Sequence, residues 1–218
     1  MSDVLAPPAK RTILRQLPKI IFYSDQTIQI QDVRASYPHL DKPWAMSEKG
    51  VKKYQIVGLI PKTPEYLSSI QALNEHIDQF LAEKRLQPLP QSRKCLRNGD
   101  EAGKPEMMGH WTISAAERDP PMLRGRHKDL RTGTLEVIPP DQAAKVFYGG
   151  CWVHLLIKLW YQEHDEGGRR VNANLCAVQF VRDDKAFGRG RISDEVVDST
   201  FGEIPDDDGG FAPAPFDL

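Results

Sequence analysis

Cysteine is scarce in this chain and is not arranged for disulfides or for metal. The 218 residues include three cysteines, Cys95, Cys151 and Cys176, with no CxxC pair among them. An odd number of widely separated cysteines argues against a disulfide framework and against a structural zinc site. We therefore expect buried, reduced thiols, as in cytosolic proteins.

Long apolar runs are also missing. The segment from Met1 to Lys10 has no apolar core of the kind that a signal peptide needs. The most apolar run, Trp152–Tyr161, is interrupted by His154 and Lys158 and is well short of the ~20 residues of a membrane span. We expect a soluble protein with no membrane partner, located in the cytoplasm, which for a viral protein is that of the host cell.

The common catalytic motifs are absent. The sequence contains no P-loop, no GxGxxG, no HExxH and no GxSxG. Its six histidines are scattered, without the spacing of metal ligands. Asp183 and Asp184 are adjacent, so on a strand they would point to opposite faces, and a turn fits them better than a metal site. We predict no enzyme activity, no catalytic residue, no metal and no cofactor.

Basic residues stop at Arg191, and the rest of the chain is acidic. The segment after Arg191 contains eight Asp or Glu residues and no Lys or Arg. The whole chain has 29 basic and 30 acidic residues, so residues 1–191 keep 29 basic against 22 acidic residues, a net charge of +7. A basic body suits a polyanion such as nucleic acid. An acidic tail imitates that polyanion or presents itself to a partner protein.

Short strand patterns dominate the remaining sequence. They cover residues 19–23, 28–37, 51–60, 111–115, 134–138, 148–162 and 171–182, separated by polar loops that include 38–50, 87–109 and 120–131. We predict a mainly β protein, with a flexible N-terminal arm over 1–18, a domain over 19–191 and a disordered acidic tail over 192–218. The pattern of several strands and few helices is typical of a small, elaborated β-barrel.

One helix is predicted, beginning after Thr63. Thr63 is a suitable N-cap and Pro64 suits the first helical position. Apolar residues then recur at helical spacing, at Tyr66, Ile70, Leu73, Ile77 and Phe80. Lys84 and Arg85 follow in the predicted last turn, and Pro88 ends the helix.

Alternation along the last two strands separates a core face from a binding face. On the first, Val153, Leu155, Ile157, Leu159 and Tyr161 form the core face. The opposite face mixes aromatic and basic groups, which suits base stacking and phosphate contact. That face holds Trp152, His154, Leu156, Lys158 and Trp160; a covered, purely structural role for the two tryptophans is the alternative.

The last strand and two loops add polar and basic groups. On residues 171–182 we expect Val171, Ala173, Leu175, Ala177 and Val181 to be buried, and Asn172, Asn174, Cys176, Val178, Phe180 and Arg182 to face outward. In an OB-fold, the loop between strands one and two and the loop between strands four and five flank the nucleic-acid cleft. Basic residues occur at both places. The candidate DNA-binding residues are Lys42, Trp44, Lys52, Lys53, Tyr54, Trp152, His154, Lys158, Trp160, Arg169, Arg170, Asn172, Asn174 and Arg182.

Five segments in this order resemble bacteriophage OB-fold single-stranded DNA-binding proteins of replication and recombination. They are KKYQIVGLIPK (52–62), CLRNGDE (95–101), GHWTISAAERDPP (109–121), FYGGCWV (147–153) and LCAVQFVRDDKAFG (175–188), followed by the acidic tail. The resemblance implies a five-stranded OB barrel, single-stranded DNA held across its face without sequence specificity, and no catalysis.

The same resemblance implies a role for the tail. The tail would compete with DNA and recruit phage or host replication and recombination proteins, through Asp206, Asp207, Asp208, Phe211 and Phe216. A homodimer is compatible with this interpretation. The alternatives are a virion or scaffold interaction protein, an RNA-binding OB protein, and a metal-dependent nuclease, for which the sequence offers no convincing ligand set.

Overall fold

The computed structural model describes residues 11–164, 168–187 and 194–201. This part of the chain contains ten strands and three α-helices. The strands are β1 (Ile13–Leu17), β2 (Ile20–Tyr23), β3 (Thr27–Trp44), β4 (Lys53–Pro61), β5 (Leu96–Asn98), β6 (His110–Glu117), β7 (Met122–Lys128), β8 (Leu135–Val137), β9 (Trp152–Gln162) and β10 (Arg170–Arg182). The helices are α1 (Pro64–Glu83), α2 (Pro140–Val146) and α3 (Asp194–Thr200). None of the helices among these residues is long and apolar enough to cross a membrane.

Five strands close into a barrel in the order β3–β4–β6–β10–β9 and back to β3. All of these pairings are antiparallel except that of β6 with β10, which is parallel and aligns Ala115 with Ala173. A five-stranded barrel of this kind is the OB architecture. The predicted mainly β OB-fold is therefore confirmed.

The barrel interior is filled by the alternate residues of its strands, as the period-two pattern requires. On β9, Val153, Leu155 and Ile157 are completely buried and Leu159 is almost so. The predicted core face of this strand is correct, and its outer face holds the alternate residues from Trp152 to Trp160. Burying each such aliphatic side chain stabilises the fold by about 1.5–3 kcal/mol.

Alternation fails halfway along β10, where the prediction was partly wrong. The pairing with β9 shifts between Leu175 and Ala177, which is a β-bulge at Cys176. Beyond the bulge Val178 is fully buried and Phe180 packs against the core, although both were predicted to face outward. Ala177 was predicted to be buried, but it pairs with the outward residue Leu156. The extra residue at the bulge therefore reverses which side chains of β10 face the core from Ala177 onward.

Helix α1 joins the second and third barrel strands and agrees with its prediction. It begins after Thr63, and Tyr66, Ile70, Leu73 and Ile77 are buried against the barrel. Phe80 is partly buried and packs on the same core. The helix ends at Glu83, so Lys84 is the C-cap rather than part of the last turn, and Arg85 adopts a positive φ of 57°.

Several predicted loops are structured. Residues 13–17 of the predicted N-terminal arm form β1, which pairs with β2. The predicted loop over 38–50 is shorter, because β3 continues to Trp44. The predicted basic loop over 120–131 contains β7, which pairs parallel with β10 and antiparallel with β8.

Two helices were not predicted, and both are short. Helix α2 lies between the third and fourth barrel strands. Helix α3 lies within the segment predicted to be a disordered tail, and it belongs to a separate unit that begins at Gly188. The barrel and its additions form the other unit, which ends at Phe187.

Candidate nucleic-acid interface

A groove of about 270 Å³ crosses the outer face of four neighbouring barrel strands. The registers Gln55–Ala116, Val57–Ser114 and Trp160–Asn172 place the members of each pair side by side on that face. Its outward-facing lining is Met46, Lys53, Gln55, Val57, Ser114, Ala116, Trp160, Gln162 and Asn172. Of the predicted residues, the structure brings Lys53, Trp160 and Asn172 together here.

One wall of the groove carries an amide pair beside Trp160. Asn172 donates from Nδ2 to Oε1 of Gln162 at 2.9 Å, which fixes both amides. Trp160 is half-buried and pairs with Asn172 across the β9–β10 ladder. An indole beside oriented amides provides a stacking face and hydrogen-bonding groups in one place.

A second aromatic platform lies next to Lys53 on β3. Trp44 is stacked on His39, with ring centroids 4.6 Å apart and planes inclined by 4°. Their strand partners are Lys53 and Gln55, so all four side chains share the outer face of the β3–β4 ribbon. Burial lowers the pKa of His39, so the imidazole is neutral near pH 7 and stacks as an uncharged ring.

The remaining cations of the two loops are more dispersed. Lys42 and Lys52 are exposed on either side of the β3–β4 connection. Tyr54 alternates with Lys53 and lies on the core side of β4. On the other loop, Arg169 is exposed and forms an ion pair with Glu163 at 3.1 Å, while Arg170 is half-buried at the start of β10.

Trp152 does not share a platform with Trp160. The two lie eight positions apart on one strand, which corresponds to about 26 Å. Trp152 Nε1 donates to Asp184 at 2.6 Å, and the Arg182 guanidinium lies 4.2 Å from its ring centroid. Trp152 and Arg182 therefore form a cluster at the far end of the β9–β10 pair.

His154, Lys158 and Asn174 lie between these two ends. His154 Nδ1 accepts a hydrogen bond from the backbone N–H of Asp32, and burial lowers its pKa. The ring of this histidine is therefore neutral near pH 7. Lys158 is exposed and pairs with Asn174 on the outer face. The predicted tail residues Asp206, Asp207, Asp208, Phe211 and Phe216 lie outside the described residues.

The sequence comparisons agree with this architecture. The model of the family described as "Enterobacter phage Enc34, ssDNA-binding protein" matches residues 26–209. The chain belongs to this family. Protein p50 of Acyrthosiphon pisum secondary endosymbiont phage 1 is 29% identical over 174 residues, which cover 76% of this chain and 89% of p50.

Solved structures of the Enc34 protein are similar as well. The single-stranded DNA-binding protein from bacteriophage Enc34 in complex with ssDNA is 33% identical, with a TM-score of 0.71, and the match covers 83% of this chain and 99% of that one. A C-terminal truncation of the same protein is 32% identical, also with a TM-score of 0.71, covering 84% and 100%. The predicted family is confirmed, and single-stranded DNA-binding proteins of the Enc34 family are not enzymes.

Some residues that line the groove of this Enc34-family chain were missed by the sequence reasoning. Gln55, Ser114 and Gln162 line it, and strand alternation on β4 and β6 was the signal that could have found the first two. Arg97 lies on β5, and its pKa is lowered because its guanidinium is partly shielded from water and because it lies near the positive charge of Arg170. Two neighbouring guanidinium groups of this kind attract a phosphate.

Proposed function

We propose that this protein binds single-stranded DNA without sequence specificity in the groove that carries Trp160, and that it coats and protects single strands during phage replication and recombination in the host cytoplasm. The observation that supports this most is the groove across four barrel strands, which include the second and third, with Trp160 on one side and the His39–Trp44 stack bordering the other. This is the face on which OB-folds bind oligonucleotides. A family relative has been solved with ssDNA.

Base stacking supplies the affinity that is independent of sequence. Trp160 and Trp44 each offer an aromatic face, and stacking is worth about 1–3 kcal/mol per base. Every base has such a face, so this term discriminates weakly between sequences. The amides of Gln162 and Asn172 already bond to each other, which leaves them their remaining donors and acceptors for bases or backbone.

Phosphate contacts supply the dependence on salt. Lys53 lies in the groove, and Lys42 and Lys52 lie beside the β3–β4 connection. Arg97 lies on β5, near Arg170 at the start of β10. Each phosphate neutralised by such a group releases condensed counterions. The affinity for a single strand should fall with a slope of about −0.7 per contact in a plot of log affinity against log salt concentration.

A titration of tryptophan fluorescence tests the proposed function. Addition of a single-stranded DNA oligonucleotide at low salt should quench part of the combined emission of the four tryptophans. The quenching is expected from Trp160 and Trp44, because these two lie where bases stack. Duplex DNA and RNA of the same sequence are the comparison ligands, and we expect weaker binding of both. A wild-type protein that binds no oligonucleotide at low salt would favour a virion or scaffold role instead, and stronger binding of RNA would favour the RNA-binding alternative.

The acidic tail is proposed to compete with DNA and to present itself to replication proteins. The chain after Arg191 carries eight acidic residues against a body of charge +7, and opposite charges on one molecule attract each other. DNA displaces the tail and so frees its Phe211–Leu218 end for phage or host proteins. A homodimer stays a prediction that sedimentation at several protein concentrations would test.

Deleting residues 192–218 should tighten DNA binding. The expected gain is roughly 5- to 150-fold at low salt, the usual range of coupling between two sites, and it should shrink as salt screens both interactions. A full-length variant with every Asp and Glu of the tail changed to Asn and Gln is the matched control, because it removes charge without removing chain. A fluorescence titration over a salt series measures the affinity of both variants and its dependence on salt. Weaker binding by the truncated protein would contradict internal competition.

A further inference from the structure

A second groove crosses the outer face of the barrel further along β9 and β10. It has a volume of about 180 Å³ and lies between the β7–β8 hairpin on one side and the N-terminal end of the described chain on the other. Residues of five strands line it, together with Arg11. They are Gln29, Arg124, Leu135, His154, Leu156, Ala177 and Gln179, with the buried residues Leu155 and Val178 behind them.

This groove lies on the same outer face of β9 and β10 as the first one. The outer face of β9 passes from Trp160 in the first groove through exposed Lys158 to Leu156 and His154 in the second. Four to six residues separate these points, or about 13–20 Å along a strand. The neighbouring face of β10 takes the same course from Asn172 to Gln179, because the bulge at Cys176 keeps Ala177 on the outer side.

The second groove has cations at its edges and uncharged groups on its floor. Arg124 donates to the carbonyl oxygen of Leu123 at 3.0 Å, and it forms no ion pair with any carboxylate within residues 11–164, 168–187 and 194–201. Arg11, on the opposite side, lies 3.5 Å from the ring centroid of Tyr23 and pairs with Asp25 at 3.2 Å. The floor between them consists of Leu156, Ala177 and the neutral ring of His154.

Such an arrangement fits a nucleic-acid strand better than an apolar ligand. Bases contact an uncharged floor while the phosphates at the edge meet guanidinium groups, which bind phosphate bidentately. The β7–β8 hairpin, over residues 122–137, adds to the positive field, since it contains more Lys and Arg than Asp and Glu residues. An acidic peptide would match the arginines, but it would not explain why the groove shares a strand face with the one that holds Trp160, with the exposed cation Lys158 between them.

We infer that a single strand leaving the first groove continues over Lys158 into the second groove, where Arg124 and Arg11 bind its phosphates. This inference rests on the proposed function, because it extends the path of the same DNA strand. It makes the binding site longer than the first groove. The affinity should therefore rise with oligonucleotide length until both grooves are filled.

Two oligonucleotide lengths and the Arg124→Gln variant test the inference. An oligonucleotide of about 5 nucleotides fills only the first groove and one of about 16 fills both, which spans the range of site sizes known for OB-folds. We expect Arg124→Gln to bind the short oligonucleotide as the wild type does and the long one about fivefold more weakly, with the salt slope smaller by about 0.7. Arg124→Lys, which keeps the charge but not the bidentate geometry, should recover part of the loss.

Two matched variants make the result specific. Arg131→Gln removes an exposed arginine from the turn of the same hairpin, outside both grooves, and should change neither affinity. Trp160→Ala should weaken both oligonucleotides. The inference is overturned if Arg124→Gln leaves the long oligonucleotide unaffected, weakens both lengths equally, or if the wild type gains nothing from length. Failure of the wild type to bind either oligonucleotide would instead overturn the proposed function itself.

Discussion

Replacing Trp160 with alanine should weaken binding of single-stranded DNA by roughly 5- to 150-fold while leaving the barrel folded. The loss corresponds to one stacked base, which is worth about 1–3 kcal/mol, at about 1.4 kcal/mol for each tenfold change in affinity. Trp160 is half-buried on the outer face, and the core behind it is filled by Leu159 and Ala173. Removing the indole therefore opens the groove rather than a cavity in the core.

The phenylalanine variant distinguishes stacking from support of the fold. Trp160→Phe keeps an aromatic face and should retain most of the affinity, whereas Trp160→Ala should not. The loss in the alanine variant should be similar for oligonucleotides of different base composition, because stacking tolerates every base. Affinities come from fluorescence anisotropy of a labelled oligonucleotide, and circular dichroism verifies the fold. If the alanine variant folds and binds as tightly as the wild type, Trp160 is not in the site.

The sequence could predict which face of a strand each site residue lies on. It could not predict which residues of other strands lie next to it. Alternation correctly placed Trp152 and Trp160 on the outer face of β9. It says nothing of what neighbours each one, and the two belong to clusters about 26 Å apart along the strand. The His39–Trp44 stack was not predicted for a similar reason. The β3–β4 register is irregular between these two residues and aligns Trp44 with Lys53, which alternation does not indicate.

Two kinds of local feature could not be predicted from the alternation of apolar and polar residues. A bulge adds one residue to a strand and has no distinct sequence signal. Nothing in residues 171–182 therefore indicates that Val178 and Phe180 face inward after Cys176. Strand β7, with the sequence MLRGRHK, reads as a basic loop because only Leu123 and Gly125 face inward. The stripe of α1 was predictable because it relies on local spacing alone, and residues such as Ile70 and Ile77 satisfy it without knowledge of the rest of the fold.

A second large effect is expected at Gly150, where the chain just before β9 meets the segment after β10. Gly150 has a φ of 112°, and a Cβ there would collide with the carbonyl oxygen of Lys185 and lie 3.0 Å from Cα of Ala186. That carbonyl oxygen also accepts from Nη2 of Arg34 at 2.7 Å, so it is not free to move away. Gly150→Ala should lower the free energy of unfolding by about 1–3 kcal/mol, the usual cost of one strained backbone position.

The adjacent glycine offers a matched control for this effect. A Cβ on Gly149 would meet its nearest neighbour, the Phe187 ring, at 3.8 Å, which is an ordinary contact. Gly149→Ala should therefore change the free energy of unfolding by less than about 0.5 kcal/mol, like other substitutions without a structural conflict. Urea denaturation followed by tryptophan fluorescence measures both variants under the same conditions.

The same pair of variants also tests what Gly150 does for the segment 183–187. Phe187 N donates to Gly149 O at 2.8 Å, and Trp152 donates to Asp184, so this segment is fastened to the end of the barrel far from Trp160. Loss of these hydrogen bonds in Gly150→Ala should expose the Trp152 indole to acrylamide quenching. The affinity for a short oligonucleotide at the Trp160 groove should stay unchanged. Equal stability of the two alanine variants would contradict this account, because only position 150 combines a positive φ with a backbone oxygen at the site of the new Cβ.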